Sequence, residues 1–479
     1  MDDYLDFLAS KHVSAKPSGF TVSAGDINPA MFRFQSDCVR WALGLGRAAL
    51  FEERGLGKTF QEFEWARLVA EYTHKPVLIG TPLAVAFQML MEADKFGYRL
   101  AYVQTQAEAR ALNAQGVSMF VTNYERIAQF DADFFGGVVL DESSILKAFS
   151  GKTKRMLIEK FARNPYLLAA SATPAPNDHL ELGNHAEFLG VMPSNEMIAR
   201  WFINNSMKAG DYRLKRHAAK DFWRWLTSWA VCLSKPGDLG EQYAMPGYDL
   251  PELRVHDHFL AAPETAYQRA WENGRLFPDD NPSSTTLHAV KRESLADRVA
   301  RADSIISALA ADEPAVLWCD TNYESDALME AFPDALEVRG SHKVEIKAER
   351  LRAFTEGQTR RLITKPDIAG MGLNWQHCAC HVFAGATFSF EKFYQAIGRS
   401  HRYGQTRPVD VHMIVAETEG NVLATLRKKQ AQFAEMQAEA NEAMRVHGLF
   451  RDGSTRRLTT ATGATPIQIP TWLTTKGAA

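Results

Sequence analysis

The sequence predicts an α/β fold built as two parallel-sheet lobes in tandem with a helical insert between them. Three observations carry this reading. Short apolar runs that end in turns recur at helical spacing across residues 31–185. Such runs thin out across 186–300, where tryptophans gather, and they return across 301–447. Buried parallel strands read as continuous apolar runs, and the intervals between them fit crossover helices.

Residues 1–30 mix charge, glycine and proline, end at Asn28-Pro29, and read as a lead-in. Lobe one, residues 31–185, includes the strand Ala48-Ala49-Leu50-Phe51, which runs into a glycine loop and the helical stretch Phe60 to Ala70. Pro76 to Thr81, Val117 to Thr122, Gly137 to Asp141 and Tyr166 to Ser171 read as further buried strands. Ligands of such sheets bind at the carboxyl ends of strands, where Thr81, Asp141 and Ser171 fall. The insert, residues 186–300, carries Trp201, Trp223, Trp225, Trp229 and Trp271 and a turn-rich stretch at 234–252. Its tryptophans fit either a helical core or a platform for stacking bases. Arg213, Lys215, Arg216 and Lys220 fit either a solvated face or one that tracks phosphates. Lobe two, residues 301–447, has apolar runs at Ala315 to Cys319, Arg361 to Thr364, His381 to Gly385 and Val409 to Val415. A long helix from about Asn421 to Val446 follows, and residues 448–479 read as a loosely held tail.

The formal net charge is −3, so no global field gathers polyanions, and any nucleic-acid contact needs a local basic lining. Five scattered cysteines, Cys38, Cys232, Cys319, Cys378 and Cys380, fit reduced thiols rather than a disulfide framework. His377-Cys378-Ala379-Cys380-His381 is spaced too tightly for the usual zinc sites and leads into an apolar strand. No apolar run is long enough for a bilayer and the acidic N-terminus is unlike a signal peptide, so a soluble protein of the cytoplasm with no membrane partner is expected.

Two segments carry chemistry. Glu52-Glu53-Arg54-Gly55-Leu56-Gly57-Lys58-Thr59 lies between a strand and a helix, the context of a phosphate-binding loop. Gly55 and Gly57 let backbone N–H groups face phosphate, Lys58 supplies charge at the β- and γ-phosphates, and Thr59 offers Mg²⁺ a hydroxyl. Glu52 departs from the general pattern, which has Gly or Ala there. Val138-Val139-Leu140-Asp141-Glu142 brings two carboxylates to a strand end, Asp141 for Mg²⁺ through water and Glu142 to polarise the attacking water. More than 300 residues beyond the loop, Gln395-Ala396-Ile397-Gly398-Arg399-Ser400-His401-Arg402 delivers two arginines three positions apart. Arginines brought in from elsewhere stabilise the charge on a departing γ-phosphate, so ATP hydrolysis in a site closed between two lobes is expected.

Together these blocks resemble the Swi/Snf-like branch of helicase superfamily two, from about Phe34 to Val415. The acidic phosphate loop, Glu52 included, is similar to that branch's own version. The resemblance implies two RecA-like lobes, with Gln35 reading adenine and Ser171 and Thr173 in a motif coupling ATP to nucleic acid. It implies Gly370 and Gly372 in a lobe-two nucleotide motif, Arg399 and Arg402 as arginine fingers, and Gln395 in the network that senses nucleotide. It further implies ATP and Mg²⁺ as cofactors and double-stranded DNA as the track of a translocating motor. Ser144 stands where the family has His, which changes the route from nucleotide to lobe two. A bare motor of bacterial or bacteriophage type, without accessory domains such as chromatin readers, is expected. A strand-separating DNA or RNA helicase and a nucleotide-gated clamp with little turnover are the rival readings. The complete set Lys58, Asp141, Glu142, Arg399 and Arg402 argues against the clamp.

Overall fold

The structure is a computed structural model, which describes residues 14–147, 151–204, 212–262, 264–272, 284–368, 374–385 and 389–449. Gly370, Gly372 and the tail beyond residue 449 lie outside the described residues.

Lobe one is a seven-stranded sheet. In chain order its first six strands are β1 (Arg47–Glu52), β2 (Val77–Thr81), β3 (Leu100–Tyr102), β4 (Met119–Asn123), β5 (Gly137–Asp141) and β6 (Tyr166–Ala170). A separate antiparallel pair, β7 (Phe202–Asn204) and β8 (Tyr212–Leu214), precedes the seventh, β9 (Ala230–Leu233). The spatial order is β3-β4-β2-β5-β6-β1-β9, and every pairing is parallel. Strands β2, β4, β5 and β6 are buried along their whole length, which is why they read as unbroken apolar runs.

Lobe two is a six-stranded parallel sheet of β10 (Leu253–Leu260), β11 (Ala315–Trp318), β12 (Leu336–Val338), β13 (Arg361–Thr364), β14 (Cys380–Phe383) and β15 (Val409–Ala416). Its order is β10-β15-β14-β11-β13-β12.

The stretch 186–300, expected to be a helical insert, thus gives each sheet one strand. Strand β9 is four residues long and follows directly on a tryptophan-rich helix. Strand β10 is an edge strand, Leu-Arg-Val-His-Asp-His-Phe-Leu, whose alternation of apolar and polar residues holds only from Leu253 to His256 and then breaks, with Phe259 exposed and Leu260 buried. Trp201, Trp223, Trp225 and Trp229 are buried against one another and Phe222, with Trp201 and Trp225 centroids 4.7 Å apart, so they are core. Trp271 alone of the five is exposed, at 74%. Lys215 caps the helix Ser194–Trp201 by donating to the carbonyls of Ala199 and Arg200, at 3.0 and 2.9 Å. Cys378 and Cys380 are buried at the start of β14.

The C-terminal helix Gly420–His447 leaves lobe two and lies across lobe one. Phe433 packs on Phe390 and Tyr394 of lobe two, with centroids 5.4 and 5.1 Å away. Further along, Asn441 donates to Ser234 just after β9, at 2.7 Å, and Met444 is fully buried in the lobe-one core. No helix among the described residues is long and apolar enough to cross a membrane.

Candidate active site between the lobes

The phosphate loop starts where β1 ends. Gly55 and Gly57 hold φ of +88° and +80°, a left-handed backbone that glycine adopts without strain, and the helix Lys58–Thr73 begins directly after. Lys58 donates to the carbonyls of Glu52 and Glu53, at 2.8 and 3.2 Å, and Thr59 is the second residue of the helix. Gln35, on the helix Arg33–Leu45, donates to the Leu56 carbonyl at 2.8 Å and accepts from the Phe32 N–H at 3.0 Å. A Cβ at Gly57 would sit 2.3 Å from the Gln35 amide. Gln35, expected at adenine, therefore braces the loop and has one amide hydrogen left for a base.

Asp141 ends β5 and is held from two sides. Thr81 donates to its Oδ2 at 2.7 Å and the Tyr124 hydroxyl to its carbonyl at 2.6 Å. Glu142 has φ +50°, a conformation that costs a non-glycine residue about 1–3 kcal/mol and clusters at functional sites. Burial, and then the Asp141 charge, pushes the Glu142 carboxyl up to about 7, the range suited to a general base. Ser171 points at Glu142 Oε2 from 3.5 Å, and its Oγ accepts from the Thr173 N–H at 3.0 Å. Ser144 is buried, and its neighbour Ser143 lies 3.1 Å from the buried His185 ring.

The arginines expected as fingers come from lobe two. The helix Phe390–Ile397 carries Gln395, half-buried, and runs into Gly398 and Arg399. Arg399 Nε is buried without a hydrogen-bond partner. Burial, then the like charge of Arg402, lowers Arg399 to about 10, while Glu142 favours its charged form. Arg402 is lowered to about 10 by burial and then by Arg54, with Glu92 opposing. Lys58, Asp141, Glu142, Ser171, Thr173 and Arg399 are therefore brought to one place from both lobes.

The site fits a magnesium nucleotide. Asp141, Glu142 and the fully buried Glu62 are all pushed up, each by burial first, and neighbouring carboxylates resist joint ionisation without a cation. The unbonded Arg399 Nε and Thr173 Oγ1 are a donor and a hydroxyl ready for an anionic ligand and its water. Glu62 was missed in the sequence, because the helix Lys58–Thr73 mixes acids with apolar residues and buries Gln61 and Glu64 as well. Tyr124 and the loop's Arg54 were likewise not assigned, and Thr81 was placed at a ligand-binding strand end with no role of its own.

A solved structure described as "Sulfolobus solfataricus SWI2/SNF2 ATPase core in complex with dsDNA" overlaps at a TM-score of 0.41 and 16% identity, covering 88% of this chain and 96% of that one. That score is too low to add weight. Sequence says more. The helicase conserved C-terminal domain family matches residues 298–404. Human "TATA-binding protein-associated factor 172" is 29% identical over 192 residues, 34% of this chain and 10% of the relative. Mouse "DNA annealing helicase and endonuclease ZRANB3" is 22% identical over 419 residues, 80% of this chain and 38% of the relative, so the similarity runs through both lobes. These matches support a Swi/Snf-like ATPase of helicase superfamily two. The chain spans well under half the length of these curated relatives.

Proposed function

We propose that the chain is a nucleic-acid-dependent ATPase that moves along double-stranded DNA. One observation carries the reading: lobe two delivers Arg399, with a buried unbonded Nε, close enough to Glu142 of lobe one for each charge to shift the other. Bound Mg²⁺ would neutralise charge on the β- and γ-phosphates, held by Thr59 and Asp141 through nucleotide and water. Lys58 exchanges its loop carbonyls for phosphate oxygens. Glu142 orients the attacking water and takes its proton, with the left-handed backbone aiming the carboxylate. Arg399 and Arg402 meet the charge that develops as the γ-phosphate leaves. Ser171, in reach of Glu142 and bonded to the Thr173 N–H, links this chemistry to the loop after β6. DNA as the track is supported by the name of the mouse relative and by the motif order of the branch.

The test is steady-state ATPase activity with duplex DNA, single-stranded DNA or RNA across a salt series, for the wild type and Glu142→Gln. Duplex should stimulate most, with a steep loss on adding salt. Glu142→Gln should keep ATP bound and lose turnover, because an amide is no base. Stimulation by RNA alone, or none by any nucleic acid, would overturn the proposal.

A further inference from the structure

Arg54 lies inside the phosphate loop but is spent on lobe two. Its guanidinium stacks on the Tyr394 ring at 3.6 Å from the centroid and donates to the Tyr394 carbonyl. Glu53 pairs with it at 3.0 Å. The Tyr394 hydroxyl donates to Glu53 Oε2, and Gln437 of the C-terminal helix donates to the same oxygen at 3.1 Å. Four side chains from the loop, the finger helix and the C-terminal helix thus close on one another.

The backbone is shaped for this contact. A Cβ at Gly398 would fall 1.8 Å from Arg54 Nη1 and 2.1 Å from its Cζ, so a side chain at 398 would evict Arg54. On the other side, a Cβ at Gly55 would fall 2.9 Å from the Tyr403 Cβ. The loop therefore touches the finger segment both before Arg399 and after Arg402.

Charge separates Arg54 from the two fingers. Glu53, a carbonyl and an aromatic face already satisfy its guanidinium, whereas Arg399 keeps a buried unbonded Nε. We infer that Arg54, with Glu53, Tyr394 and Gln437, forms a clasp that fixes the finger segment against the phosphate loop, making Arg54 a positioning residue and not a third finger. Its kinetic half rests on the ATPase reading above, whereas its structural half does not.

The experiment reads both halves. Spin labels at Ala107→Cys in lobe one and Ala348→Cys in lobe two sit on exposed helix positions, and the five native cysteines are buried. Without nucleotide the parent should give one narrow distance, and Arg54→Met and Tyr394→Ala should each broaden or shift it. Arg54→Lys, a milder change that keeps charge but loses the planar stack, should also broaden it. In steady-state ATPase, Arg54→Met should lower kcat by about tenfold with KM for ATP within about twofold, the mark of an effect on the transition state alone. Arg54→Met combined with Tyr394→Ala should be no worse than either variant. An unchanged distance in all three variants would overturn the clasp. So would a raised KM at constant kcat, which would make Arg54 a nucleotide ligand. If the parent hydrolyses no ATP, the functional proposal fails while the distance measurement still decides the clasp.

Discussion

Glu52 takes a carboxyl group into the lobe-one interior, where it is fully buried, accepts from Gln61 at 2.7 Å and faces the buried Cys38 thiol. Burial pushes its pKa up from 4.5 to about 7, against the pull of Lys58 and its hydrogen bonds. The sign follows from linkage. The folded chain holds this proton more tightly than the unfolded chain, so folding loses stability as pH rises from 4.5 to about 7 and carries the full penalty above that. A shift of this size is worth about 3 kcal/mol. Glu52→Gln keeps an acceptor for Gln61 and removes the ionisation. It should raise the urea midpoint at pH 8 and leave it nearly unchanged at pH 4. A loss of stability equal at both pH values would show that the carboxyl is needed for packing. An acid at position 52 could be read in the sequence as a departure from the usual loop. Its burial could not, because that depends on the helices that cover it.

The strands that position the site were legible for a physical reason. Val138-Val139-Leu140 is buried on both faces, so an unbroken apolar run marks the strand and its end marks Asp141. Strands β3 and β12 have three residues each, too few to carry a pattern, and β10 loses its alternation among histidines and charges. The C-terminal helix was visible as an element, but its destination on lobe one was not, since only a few of its residues make that contact. Met444 is one of them. Met444→Ala should cost about 2–5 kcal/mol in urea unfolding, the range for truncating a buried Met. Val446, two residues on and 62% exposed, is the control: Val446→Ala should stay within about 0.5 kcal/mol. Equal effects at both positions would mean that the helix is not docked as described.

At the scale of the whole molecule, the two lobes each hold part of the proposed reaction centre. Arg399→Ala should leave nucleotide affinity nearly intact and reduce turnover by roughly 10³-fold, the scale of a lost arginine finger. Arg399→Lys should rescue poorly, lacking the planar fork. Loss of ATP affinity in proportion to turnover would mean that Arg399 binds the ground state. Contacts such as Arg54 with Tyr394, 340 residues apart, could not be read from sequence because they exist only once both sheets are formed. The path of the C-terminal helix also sets an order of events during synthesis. Lobe one emerges from the ribosome first with its phosphate loop, Asp141 and Glu142 all present, yet the helix that covers β9 is among the last described segments to be made. A nascent chain shorter than about residue 420 therefore exposes apolar surface that the finished protein buries, and it lacks Arg399 and Arg402 until residue 402 is translated. Half-made copies thus show that surface before either arginine of the proposed site exists.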